Sequence, residues 1–407
     1  MKRAAIVGSS HQVEADLVKA CAATVMAEDR RAIIRSLLGE CPDWVYVIEV
    51  CQAHGVSSLI CFNLEASAPD LVPREIREVL QARFRANACR NLFLTQELLA
   101  LVQEFRESDI EVIPFKGPLL AITAYGNVAL REFLDLDILV QKENLCRARE
   151  LLAARGYRSP AGQFTDGYLT SQLGCDHIRA DGRVALELHW NLLQKWLGFH
   201  VDLEAIWAAP RKIKIGRVPV LVLPADITLL HLCAHGAKHC WSRLCWVVDI
   251  AEVLRDRPEL NWEKLLALAE SSGCRRTLFI GLHLSKNLLG ASIPEPVWGR
   301  IMQDKSAVSL ARNLGEQMFI HRNAAAHNRL GWGRDWFHLR TKERWREKGI
   351  YLCQMARIAL QPSIKDRHWI CLPRWLDWLY VVLRPIRVTW QSIPAIPRGH
   401  DAFRATK

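Results

Sequence analysis

The sequence predicts an α+β protein, a small mixed sheet with its own helices, flanked by N- and C-terminal helical regions. Three observations carry this. Apolar residues recur at helical spacing between residues 30 and 108, as in Ile33, Leu37 and Leu38, or Leu98, Leu101, Val102 and Phe105. Short β-branched or alternating runs take over at residues 110–113, 134–140 and 184–190. Dense helical patterning returns from Pro224 onward. On this pattern residues 1–94 form an N-terminal helical region, 95–222 the core with the sheet, 223–360 a C-terminal helical domain and 361–407 a Trp/Arg-rich tail.

The elements follow in order. Residues 1–30 carry little pattern and read as a partly ordered extension. Cys41-Pro42-Asp43 breaks the first helix, Asp43 is placed to cap the next near Trp44, and Gly55 to close it. Pro69 and Pro73 mark a loop, and a long helix starts at Arg74 and continues to Ser108. A strand over 110–113 leads to the turn Lys116-Gly117, and Pro118 opens a helix at its first position. After a loop near Tyr125-Gly126-Asn127 comes the strand ending in Val140, then an amphipathic helix over 143–155 closed by Gly156. Tyr157 and Arg158 start another strand. The turn Asp181-Gly182 precedes the strand 184–190. Further helices run through 249–254, 265–271, 278–288 and 305–360, with Pro294 and Pro296 interrupting.

A chain of 407 residues, half apolar and a quarter charged, is an ordinary globular composition for about two or three domains. The net charge of +11 favours acidic partners, but Lys and Arg are spread along the chain and select none. No RNA- or DNA-reading motif is present, so no specific nucleic acid partner is expected. Thirteen scattered cysteines without a CxxC pair, and no visible signal peptide, point to reduced thiols in the cytoplasm. No run of about 20 apolar residues predicts a transmembrane helix. In the tail, Trp369, Trp375, Trp378, Tyr380 and Trp390 alternate with Arg374, Arg384 and Arg387, which suits a peripheral membrane contact, a protein partner or packing on the helical domain.

The chemistry concentrates at Asp135 and Asp137. Two residues apart in a strand, they project side by side, and two like charges in an apolar run need compensation. A divalent cation supplies it, since hard oxygen ligands suit Mg²⁺, or Mn²⁺ in its place. In the strand 184–190, Ala185, Glu187 and His189 share a face; laid beside the acid pair, Glu187 becomes a third carboxylate, with His189 a hydrogen-bonding group in the cleft. Such a cluster bridges two ions about 3.5–4 Å apart for in-line phosphoryl displacement. Lys116, Gly117 and the following helix start would hold phosphates. Arg131 would meet a phosphate or neutralise the acids. His231, His235 and His239 fall at helical spacing; with Cys240 or Cys245 they offer a zinc alternative. Otherwise they line the cleft beside Lys238, His239 and Arg243, which would approach phosphates.

Lys116-Gly117, Tyr125, Arg131, Asp135-x-Asp137, the block Glu187-Leu188-His189-Trp190, and His235-x-x-Lys238-His239-x-x-x-Arg243 with Trp246 and Asp249 together resemble a known family. It is the uncharacterised nucleotidyltransferase family of bacterial biosynthetic clusters, a branch of the DNA polymerase β-like nucleotidyltransferase superfamily. The segment from Leu372-Pro373 to Leu383-Arg384-Pro385-Ile386-Arg387 is similar to the family's tail, so the resemblance runs from about residue 40 onward. It implies a nucleotidyltransferase core, an NTP substrate, ATP first, an unidentified acceptor, and catalytic metal ligands at Asp135, Asp137 and Glu187. The chain departs from the superfamily at its phosphate turn, where Lys116-Gly117-Pro118 replaces Gly-Ser or Gly-Gly and Pro118 has no N–H to donate. The other function consistent with the pattern is a catalytically silent nucleotide- or partner-binding module of a biosynthetic assembly.

Overall fold

A computed structural model describes residues 11–159, 173–193, 199–319 and 331–360, with isolated positions between 369 and 387. The chain divides into two units, residues 1–343 and 344–407.

The first unit begins with four helices, α1 (Gln12–Cys21), α2 (Glu28–Gly39), α3 (Trp44–His54) and α4 (Ser57–Ser67). Helix α1 corrects the expectation of a partly ordered extension: Leu17, Val18 and Cys21 are fully buried. Its apolar face is too short to register as a period, because Glu14, Asp16 and Lys19 interrupt it. Asn63 on α4 donates to the Cys21 and Ala23 carbonyls, both at 2.7 Å, and so closes the end of α1. Asp43 caps α3 as expected, accepting from the Val45 and Tyr46 amides at 3.0 and 3.1 Å. Gly55 ends α3 at φ 65°, and a Cβ there would stand 2.7 Å from Arg243 Nη2. Gly55→Ala is therefore expected to destabilise by about 1–2 kcal/mol, through both the left-handed backbone and the displaced guanidinium. Gly39→Ala, with nothing within 4 Å of its Cβ, is the control and should be neutral or slightly stabilising in the same urea titration.

Helix α5 (Arg74–Glu107) is a single rod of 34 residues, so the boundary read at residue 95 falls inside it. Two stretches in its middle and second half serve one purpose, which is to hold the sheet. Buried Asn87 and Asn91 donate to the carbonyls of Ala129, Val128 and Arg131, at 2.9, 2.6 and 2.7 Å, pinning the loop that enters the central strand. Further along, Glu97 accepts from Arg155, Tyr157 and Arg179 on the far side of the sheet.

The sheet is α+β in the sense expected. Strands β1 (Val112–Phe115), β2 (Asp135–Val140), β3 (Tyr157–Arg158), β4 (Gly174–Arg179) and β5 (Ala185–His189) lie in the order β1-β2-β5-β4-β3. Helix α6 (Gly117–Thr123) joins β1 to β2, and α7 (Leu145–Ala154) joins β2 to β3. Strands β2 and β5 are parallel and every other pair is antiparallel. From Leu136 to Val140 β2 is wholly buried, as its apolar run requires of a central strand. Strand β4 has no counterpart in the sequence reading, because its alternation mixes Cys175 and His177 inward with Asp176 and Ile178 outward. The hairpin of β6 (Arg211–Ile215) and β7 (Val218–Val222) was likewise not anticipated; it turns at Gly216 and packs Val220 into the core of the sheet. Between β5 and β6 lies α8 (Leu203–Ala208).

The remaining helices of this unit are α9 (Ala225–Lys238), α10 (Leu244–Asp256), α11 (Trp262–Ser271), α12 (Arg275–Leu289), α13 (Glu295–Gln303), α14 (Lys305–Gln317) and α15 (Gly331–Thr341). Helices α9, α10 and α12 are apolar on most faces and pack on one another. In the second unit α16 spans Trp345–Leu360. Trp375, Trp378, Trp390 and Arg374 of the Trp/Arg-rich tail lie outside the described residues. Among the described residues no helix is long and apolar enough to cross a membrane.

Candidate active site

Parallel pairing sets Asp135 opposite Ala185, Asp137 opposite Glu187 and Leu139 opposite His189. Residues paired across neighbouring strands share a face, so Asp135, Asp137, Glu187 and His189 all project to one side of the sheet. His189 Nε2 lies 3.1 Å from Asp137 Oδ1 and 3.0 Å from Glu187 Oε2. Lys116 Nζ reaches the same Asp137 oxygen at 2.8 Å. Asp137 thus sits at the centre of the cluster, 2% exposed, with a cation or imidazole on either side.

The electrostatics follow. Burial works to raise the Asp137 carboxyl, but the Lys116 charge and the His189 hydrogen bond win and hold it well below the carboxylate range. Asp135 moves the other way: burial raises it first, and the Asp137 charge adds to that. Asp135 has no hydrogen-bond or ion-pair partner among the described residues. His189 is raised despite burial, through hydrogen bonds to Asp137 and Glu187.

Local chain geometry delivers Lys116. It follows β1 at φ 58°, ψ −147°, a conformation that costs a non-glycine residue about 1–3 kcal/mol. Gly117 follows at φ +39°, and a Cβ there would come 3.2 Å from the Asp135 carbonyl. The turn is folded tightly against β2, and the Lys116 side chain is carried back over the acid pair. Helix α6 has seven residues and Pro118 in its first turn, so few N–H groups are free at its start.

The other sequence candidates divide. Arg131 forms a two-pronged pair with Asp249 on α10, at 2.8 and 2.9 Å, and Tyr125 donates to the same carboxylate at 2.7 Å. Its partner is Asp249 rather than the acid cluster. Two cavities of about 540 and 550 Å³ border the carboxylates and share Lys116, Asp135 and His235 in their walls. Gly117, Arg131 and Arg243 line the first, Lys238 and His239 the second. The phosphate-binding candidates are therefore not brought to one place.

Among the described residues, one group of potential metal ligands has all its donor atoms within 4.8 Å of one another: Asp137, Glu187 and His189. His189, read from sequence as a hydrogen-bonding group, belongs to that set, and Asp135 stands outside it. The donors are hard oxygens with one imidazole and no thiolate, and the unpartnered Asp135 carboxylate adjoins them, so the set fits Mg²⁺ or Mn²⁺. The zinc alternative is corrected. Among the described residues His231, His235 and His239 do not bring their donor atoms together with each other or with Cys240 or Cys245, and the His231 and His235 rings are 6.2 Å apart.

Sequence reasoning passed over Arg83 and Arg90, both of which line the first cavity. They stand seven apart on α5, two turns of one helical face, and that spacing was the available signal. Arg90 bonds Asn87, whereas Arg83 has no hydrogen-bond or ion-pair partner among the described residues.

A family model described as an uncharacterised nucleotidyltransferase matches residues 40–290, which hold both cavities and every strand of the described residues. No curated protein and no solved structure matches the chain.

Proposed function

The chain belongs to the uncharacterised nucleotidyltransferase family, whose model covers residues 40–290, and from that premise we propose that it moves a nucleoside monophosphate from an NTP, ATP first, to an acceptor. We place the family in the DNA polymerase β-like superfamily and the reaction in a biosynthetic cluster of the cytoplasm. The observation that supports catalysis is the convergence of Asp135, Asp137 and Glu187 on one face of two adjacent strands. Asp137 and Glu187, with Asp135 beside them, would hold Mg²⁺ or Mn²⁺ ions, which when bound screen the triphosphate and stabilise the charge that develops in displacement.

The chain's own residues do the rest. The first cavity is lined by five basic and three acidic side chains and receives the triphosphate. Arg83 and Arg90 from α5, Arg243 from the start of α10 and Lys116 converge there, with Trp246 offering a face to the base. The acceptor oxygen forms its bond to the α-phosphorus, the bond from that phosphorus to the bridging oxygen breaks, and pyrophosphate leaves. Glu187, 41% exposed and held ionised by the His189 hydrogen bond, is the carboxylate open to the acceptor's proton.

The silent-module reading draws on the same ion pairs: Lys116 and His189 already neutralise Asp137 from within. Pyrophosphate release separates the two. Supplied with hydroxyl-bearing acceptors, or with water in the acceptor's place, the enzyme releases pyrophosphate from ATP with Mg²⁺, stops in EDTA, and shows a KM for ATP raised about tenfold or more in Arg83→Ala and in Arg90→Ala, with kcat little changed. Absence of pyrophosphate with all four NTPs and the same acceptors under Mg²⁺ and Mn²⁺ would leave the silent module.

A further inference from the structure

We propose that the second cavity is the acceptor site and that it takes an uncharged, polyhydroxylated molecule, one of whose hydroxyls donates to His231 Nε2. This assignment rests on the nucleotidyl-transfer reading above.

His231 is 7% exposed and lines the cavity. Its Nδ1 faces the Leu192 carbonyl at 2.9 Å. A carbonyl only accepts, so Nδ1 carries the proton and Nε2 of the neutral ring is a bare acceptor. Among the described residues that buried Nε2 has no partner. Buried polar atoms in folded proteins are mostly satisfied, and an unsatisfied nitrogen on a residue that lines a cavity points to a donor that comes with a ligand. Burial holds the ring neutral, down to about 3, so His231 accepts a hydrogen bond without removing the proton.

The surroundings set the acceptor's class. His235 and His239 follow at one-turn intervals, so the three imidazoles extend roughly 12 Å along α9. Burial keeps both of these neutral too, His239 down to about 4. Among the described residues His189 Nδ1 is a second buried nitrogen without a partner, on a residue of the same wall. A row of neutral imidazoles matches several hydroxyls and gives no net attraction to an anion. The charged groups agree: Lys116, Lys238 and the raised His189 face three carboxylates, Asp135, Asp176 and Glu187, close to an even balance. The first cavity has an excess of basic groups and suits the triphosphate. Charge thus sorts the two substrates to two cavities that meet at Lys116, Asp135 and His235.

The test measures binding of maltose, glucosamine and glucuronate to the full chain saturated with α,β-methylene-ATP and Mg²⁺, by saturation-transfer NMR. Maltose should bind about tenfold more tightly than glucuronate. His231→Leu should weaken maltose about tenfold or more and leave the nucleotide analogue's affinity within about twofold. His239→Ala, at a half-buried position that the fold tolerates more readily, should weaken maltose in the same direction. Preference for glucuronate or glucosamine, no maltose binding, or maltose binding untouched by both variants overturns the assignment while the analogue still binds. Failure of the analogue to bind the wild-type chain would instead remove the nucleotidyl-transfer reading and the acceptor role with it.

Discussion

Asp137→Asn is expected to lower metal-dependent turnover by about a thousandfold or more, the scale of several kcal/mol of lost charge stabilisation. It should also cost stability. The exchange removes the partner of Lys116, whose side chain is 13% exposed, and a buried charge left without its mate costs about 3–5 kcal/mol. These two losses separate in a double variant. Adding Lys116→Met removes the stranded cation, so chemical denaturation should show most of the stability restored while turnover stays absent. The stability term also carries a pH signature. The Asp137 carboxyl is depressed in the native state by Lys116 and His189 against its burial. Its contribution is therefore complete above the unfolded carboxyl value of about 3.9 and is lost as pH falls through the native value. The stability gap between wild type and Asp137→Asn should narrow in acid.

Asp249→Ala is the second large effect, and here stability moves before chemistry. Asp249 is 2% exposed and accepts from Arg131 twice and from Tyr125 once. Burial alone would lower the Arg131 guanidinium, and the Asp249 charge and hydrogen bond raise it instead. Without Asp249 that cation stays beside the first cavity with no counter-charge, and the Tyr125 hydroxyl loses its acceptor. A loss of about 3–5 kcal/mol is expected in urea titration. Arg131→Met combined with Asp249→Leu should recover much of it, because an apolar pair of similar volume avoids the desolvation of both charges. The network joins the loop entering β2 to α10, so it fixes the sheet's acid pair against the helix that Arg243 precedes. The single variant should therefore raise the KM for ATP as well as lower the unfolding free energy.

Much of this was legible in the chain. Asp135 and Asp137 sit two apart in an apolar strand, and that spacing alone sets them side by side. Asp43 and Gly55 announce their helix ends because a short side chain and a missing Cβ are local requirements. The partner strand was legible as well, since Glu187 and His189 alternate with buried Leu186 and Leu188. What stayed hidden depends on contacts between distant residues. Nothing near Arg131 in sequence names Asp249, 118 residues later, as its partner. The second role of Lys116, neutralising Asp137, needs the left-handed turn, which no propensity of lysine suggests. Strand β4 escaped because its inward positions include a histidine, which breaks the apolar alternation that marks a strand. The separation of Lys238 and His239 from Arg243 was hidden because five residues can reverse a chain: the turn at Cys240 and Trp241, both at positive φ, sends them to different cavities.

Manganese binding, followed by electron paramagnetic resonance in the presence of α,β-methylene-ATP, tests the metal-binding carboxylates most directly. The account predicts a bound Mn²⁺ signal in the wild-type chain that is lost in Asp137→Asn and in Glu187→Gln and kept in His235→Gln. A bound signal of undiminished affinity in folded Asp137→Asn and Glu187→Gln would contradict it.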